Sequence, residues 1–199
     1  MKPADQRAHA AIRAELSRLA RYDDQSLVHD NWIRQRYDCG CYPSLMPART
    51  ATVETAWHEA GHAVAALAVG ARFSSASIHH SPGSEGRVHG IRGGGELGFV
   101  VDAAGQIAQR LRDWTMLDHD DDLRAWLPTW KSDGGDARHF RRAIAGRDEL
   151  RAWRRSEEVL IPRRLQIREV ARALAVHPRP LRYEVVVAIV TAPDLTERR

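Results

Sequence analysis

The stretch TAWHEAGHAVAALAVG, residues 55–70, constrains this chain more than any other. Its alanines, valines and leucine favour a helix, and Gly70 supplies the left-handed backbone on which helices commonly stop. Thr50 or Thr52 is the expected N-terminal cap. The faces of this helix are small and apolar, which fits packing inside a core, yet it carries His58, Glu59 and His62. Burying such groups without partners costs on the order of several kcal/mol, so the pattern calls for a purpose. Positions i and i+4 lie one turn apart on one helix face, so the two imidazoles can aim at a common point. A metal ion suits that point, and Glu59 then stands where it can take a proton from water without being a ligand. The plain alternative is a pair of hydrogen-bonded helix histidines with Glu59 on the exposed side.

Two histidines do not complete a zinc site, because a catalytic zinc takes three protein ligands and leaves one position for water. Candidates for the third are Asp118, His119, Asp120, Asp121, Asp122, Asp136, His79, His80 and His89. Spacing does not choose among them. A run of like charges is more often a solvated face, which counts against the DHDDD cluster. Asp136 follows two glycines that permit close backbone approach and precedes a helical pattern that would fix its side chain.

The remainder reads as one main domain, residues 50–199, preceded by an N-terminal helical arm and irregular linker, residues 1–49. Ile12, Leu16 and Leu19 make the arm amphipathic. After Gly70, RFSSASIHH and GRVHGI alternate polar with apolar residues, predicting a small hairpin or two short strands. Helical spacing returns over residues 97–117 and is broken by DHDDD; a loop holding Pro128 follows, and a further helix is expected from Asp136. Leu150, Trp153, Leu160, Leu165, Ile167, Val170 and Leu174 form a long helical stripe, interrupted at Pro162, which lacks an amide donor. Residues 181–190 fit helix or strand. Trp114, Trp126, Trp130 and Trp153 either line a groove or fill a core, and core is expected for at least two. The fold class expected is therefore α+β, mainly helical, with a small sheet or hairpin.

Cys39 and Cys41 are too close for an unstrained disulfide, and a reducing cytoplasm is the expected location. With His29 they could begin a second metal set, but two reduced thiols in a turn is the simpler reading. The apolar run at residues 63–69 is far short of the roughly 20 residues that cross a bilayer, so no membrane span and no signal peptide are expected. The net charge of +4 invites a nucleic-acid reading, but the basic residues are interleaved with acids, as in RRSEEVLIPRR, and fit solvated helix faces better.

TAWHEAGHAVAAL, followed in order by SASI, ELGFV, AAGQIAQRL and SDGGDARHF, resembles the zinc peptidase domain of the FtsH family of ATP-dependent proteases. The resemblance covers about residues 53–145 and, more faintly, QIREVARALAVHPRPLRYEVV, which is similar to the family's closing helices. It implies a zincin-like fold, one zinc ion per chain held by His58, His62 and Asp136, and Glu59 as the general base of peptide hydrolysis. Peptides or unfolded protein segments would be the substrates, laid extended along an edge strand in the SASI or ELGFV region. No GxxxxGK[ST] phosphate loop occurs, so an ATPase, if used, would be a separate partner. Where the family carries a glutamate in its small-residue helix this chain has Gln109, which bears on the groups around the metal ligands. Two alternatives stay open. One is a catalytically silent pseudopeptidase acting as a regulatory binding module; the other is a different peptidase sharing the His-Glu-x-x-His pattern, in which Asp136 would lie far from the histidines.

Overall fold

The computed structural model describes residues 49–78, 86–113, 115–117, 119–130, 135–177 and 179–192. The N-terminal arm, Cys39 and Cys41, His79, His80, Trp114 and Asp118 lie outside them. The described residues form a mainly helical α+β arrangement with one small antiparallel sheet. Helix α1 (Arg49–Ala68) is followed by strands β1 (Ser75–Ser77) and β2 (Arg87–His89), then α2 (Gly98–Asp113), α3 (Asp120–Trp126), α4 (Asp136–Ala143), α5 (Glu149–Leu160), α6 (Arg164–Val176), strand β3 (Leu181–Arg182) and α7 (Tyr183–Val190). No helix among the described residues is long and apolar enough to cross a membrane.

Helix α1 is the central element, packed mainly on α2 and α6. Ala56, Ala60, Ala63, Val64, Ala65 and Ala66 are all buried, so its apolar surface is used nearly all round. The close crossing with α2 depends on Gly61. A Cβ atom there would fall 2.5 Å from the carbonyl oxygen of Ala104 and 2.6 Å from Cβ of Ala108. Helical backbone runs through Thr50 and Thr52, so neither holds the cap position expected of it, which requires non-helical backbone. The far end meets expectation: the helix closes at Ala68 and Gly70 has φ 74°.

The strand order is β2–β1–β3. Ala76 of β1 pairs with Val88 on one side and Leu181 on the other, so the two strands expected after Gly70 are joined by a third from the far end of the chain. This corrects two expectations. The SASI stretch is the central strand, with both edges taken, and ELGFV is a 3-10 turn (Gly95–Leu97) running into α2. Neither offers an open edge; among the described residues the outer strands are β2 and β3.

Helix α2 ends at Asp113, short of the acidic cluster expected to break it, and that cluster opens the next helix instead. Asp120, Asp121 and Asp122 form the first turn of α3, where carboxylates complement the positive helix end. Helix α4 begins at Asp136, and a 3-10 turn containing Pro162 separates α5 from α6, both as expected. Residues 181–190 divide between the short strand β3 and helix α7. Trp130 and Trp153 are core residues, with ring centroids 5.1 Å apart, and Phe140 of α4 lies 5.5 Å from Trp130 and 6.1 Å from Trp153. The cluster pins α4 against α5.

Candidate metal centre

Helix α1 presents His58 and His62 from one face, and their Nε2 atoms stand 3.0 Å apart. Asp136 reaches the same point from the first turn of α4, its Oδ2 lying 3.0 Å from His58 Nε2 and 3.3 Å from His62 Nε2. Among the described residues these three form a group able to hold a metal ion. The alternative in which Asp136 lies far from the histidines does not hold.

Each side chain is aimed by something specific. His62 Nδ1 is 2.7 Å from the carbonyl oxygen of Val101, which can only accept, so this nitrogen donates to it and Nε2 is the nitrogen turned toward His58 and Asp136. The ring of His58 occupies space that only a glycine on α2 leaves open, since a Cβ on Gly105 would fall 2.4 Å from its Cε1 and Nε2. Asp136 follows Gly135, whose φ of 89° favours glycine, and is carried by the helix whose Phe140 is locked in the aromatic core.

Glu59 is 6 % exposed and accepts a hydrogen bond from the backbone N–H of Val88 on β2. Gly86 makes that approach possible, because a Cβ there would meet Glu59 Cγ at 2.8 Å. Burial raises the Glu59 carboxyl above its ordinary value, against the pull of His62 and His58. Burial also opposes charging of His62, but the hydrogen bond and charge of Asp136, with Glu59 behind them, prevail and hold that imidazole at about 9. Partial burial works against the charge of Asp136, yet its hydrogen bonds to His58 and His62 and their charges keep it well below the carboxylate range.

Sequence reasoning missed three parts of this centre. The Val101 carbonyl, which aims His62, is a backbone group with no residue signature; Gln109, noted where the FtsH pattern has a glutamate, stands eight residues, or about 12 Å, further along α2. Gly105 was visible only as part of a small-residue stretch. Asp102 was not considered; burial pushes its carboxyl up to about 6, against the charges of His62 and His139 and with that of Asp136. Of the other ligand candidates, Asp120 accepts a hydrogen bond from Arg154 at 2.9 Å, and His89 is exposed on β2. His119, Asp121 and Asp122 are exposed around the start of α3. The chain matches no family model, no curated protein and no solved structure.

Proposed function

We propose that this chain is a zinc-dependent peptidase in which His58, His62 and Asp136 hold the metal and Glu59 acts as general base. The observation that carries the reading is the arrival of Asp136, 78 residues away in sequence, at 3.0 Å from His58 Nε2. Donors at 2.0–2.1 Å from a tetrahedral zinc stand about 3.3 Å from one another. The three separations here, 3.0, 3.0 and 3.3 Å, fit that spacing with little adjustment. Two imidazole nitrogens and one carboxylate oxygen are also a donor set that suits zinc. The resemblance of residues 53–145 to FtsH-type peptidase domains points the same way.

When bound, zinc would acidify a water molecule and polarise a peptide carbonyl. The protein's own groups do the rest. Glu59, whose carboxylate is not needed to hold metal, accepts a proton from the attacking water and returns it to the departing amine nitrogen. Its raised affinity for protons, a consequence of burial, suits it to both halves of that transfer. The Val88 N–H fixes the carboxylate beside β2, an outer strand of the sheet among the described residues. An extended peptide added to that edge would run past Glu59 with its backbone paired and its carbonyl within reach of the site.

The test is cleavage of an unfolded protein or labelled peptide by the purified chain. Chelation and Glu59→Gln should each abolish it, and zinc should restore only the chelated wild type. A Glu59→Gln variant as active as wild type would end the reading. Full zinc occupancy without cleavage of any peptide would favour a silent binding module.

A further inference from the structure

The four groups of the proposed centre are all engaged. His58, His62 and Asp136 stand within 3.3 Å of one another, and Glu59 takes the Val88 N–H. Asp102 is half-buried next to them, yet it makes no hydrogen bond and no ion pair among the described residues. It follows Val101, whose carbonyl receives His62, and stands three residues before Gly105, whose place the His58 ring fills. Its carboxyl is therefore on the flank of α2 beside the centre. The charges that act on it come from both α1 and α4, namely His62, His139 and Asp136. His139, three residues beyond Asp136, is exposed and forms no ion pair with it. Neither the helix nor the metal explains this carboxylate. It lies past the first turn of α2, where an acid would complement the helix end, and it is no member of the group able to hold an ion. Taking such a group partly out of water without a partner is costly, and burial does push its carboxyl up, to about 6, which leaves it ionised in neutral solution.

Resting on the peptidase reading above, we propose that Asp102 receives a positively charged group of the substrate, an ammonium or guanidinium close to the scissile bond. A cation brought by the substrate offsets the lost hydration of the carboxylate, whereas an acid at the same place meets a like charge. The group lies close to the bond being cut because Asp102 is within the field of two proposed metal ligands, His62 and Asp136. Two parts of a polypeptide carry this chemistry: the α-ammonium of its first residue, and a lysine or arginine side chain.

The experiment measures peptide binding by fluorescence anisotropy to zinc-saturated protein carrying Glu59→Gln, which should hold peptides uncut. Peptides of one sequence, labelled at the C-terminus, carry lysine, glutamine or glutamate at one position moved stepwise along the chain, each with a free or acetylated N-terminus. A cationic peptide should bind about fivefold or more tighter than its neutral counterpart, and Asp102→Asn on the same background should remove that preference. Loss on acetylation assigns the α-ammonium as the occupant, and loss on replacing lysine by glutamine assigns a side chain. If Asp102 served only to tune the metal or the fold, Asp102→Asn would weaken all peptides alike and leave the preference intact. That result, equal binding of charged and neutral peptides at every position, or no binding at all would each overturn the inference. Cleavage by the wild type is read separately. A preference that depends on Asp102 with no peptide cut would end the peptidase reading and leave the cation-receiving site standing; cleavage without the preference would do the reverse.

Discussion

A Cβ atom on Gly105 would stand 2.4 Å from both Cε1 and Nε2 of His58, so the ring of one histidine occupies the space a side chain on α2 would fill. Gly105→Ala therefore sets two effects against each other. Alanine favours the helix by about 0.5–1 kcal/mol, but its methyl displaces an imidazole of the proposed metal centre. We expect zinc affinity to fall at least tenfold while the protein stays folded, measured by competition with a chromophoric chelator. A variant with higher melting temperature and unchanged affinity would show that the His58 position is not needed.

Gly61 tests the scaffold and not the ligand. Its Cβ would meet the backbone carbonyl of Ala104, which cannot move as a flexible side chain can. Gly61→Ala should lower thermal stability by about 1–3 kcal/mol through overpacking, and should shift Val101, the partner of His62, along with α2. Thermal unfolding of the zinc-free protein reads the first effect directly.

The third ligand of the proposed centre, Asp136, depends on aromatic packing. Phe140 sits one turn beyond Asp136 on α4, fully buried beside Trp130 and Trp153. Phe140→Leu should cost about 1–2 kcal/mol of stability and also weaken zinc binding, because it loosens the helix that carries Asp136. Calorimetric titration with zinc is the measurement. A stability loss with unchanged affinity would separate the two roles.

How much of this was legible in the sequence follows from what kind of group did the work. His58, Glu59 and His62 announce themselves by helical spacing, Gly70 and Pro162 mark their breaks by backbone chemistry, and Asp136 sits at a glycine-led helix start. Val101 and Val88 act through backbone atoms, which any residue type could supply. Gly61, Gly86 and Gly105 are visible as glycines, but what each one makes room for depends on elements brought together by tertiary packing. The central place of β1 was hidden for the same reason, since its second partner, β3, lies about a hundred residues later.

In the proposed centre, protons and metal compete at His62. Its folded value of about 9 exceeds the ordinary 6.5, so the stability it gives the metal-free protein is whole below pH 6.5 and is lost as pH rises through about 9. The depressed Asp136 contributes above about pH 4 and is lost on further acidification. Zinc binding releases the His62 proton, so the gap in melting temperature between zinc-loaded and chelated protein should widen from pH 6.5 to 9. A gap independent of pH in that range would exclude His62 as the exchanging group.

Asp102 should behave in the opposite sense. Burial raises it to about 6, so in the metal-free protein its proton is favoured by folding and its ionised form at neutral pH is destabilising. Asp102→Asn should raise the melting temperature of chelated protein at pH 7.5 and leave it nearly unchanged at pH 4. The same change should weaken zinc binding by removing a nearby negative charge.

The most direct test is the metal content of protein purified without added zinc, determined by elemental analysis for wild type, Glu59→Gln and Asp136→Ala. Wild type and Glu59→Gln should each carry about one zinc per chain, and Asp136→Ala should retain little or none while keeping its helical circular dichroism. Undiminished zinc in Asp136→Ala would contradict the three-ligand centre on which the functional reading stands.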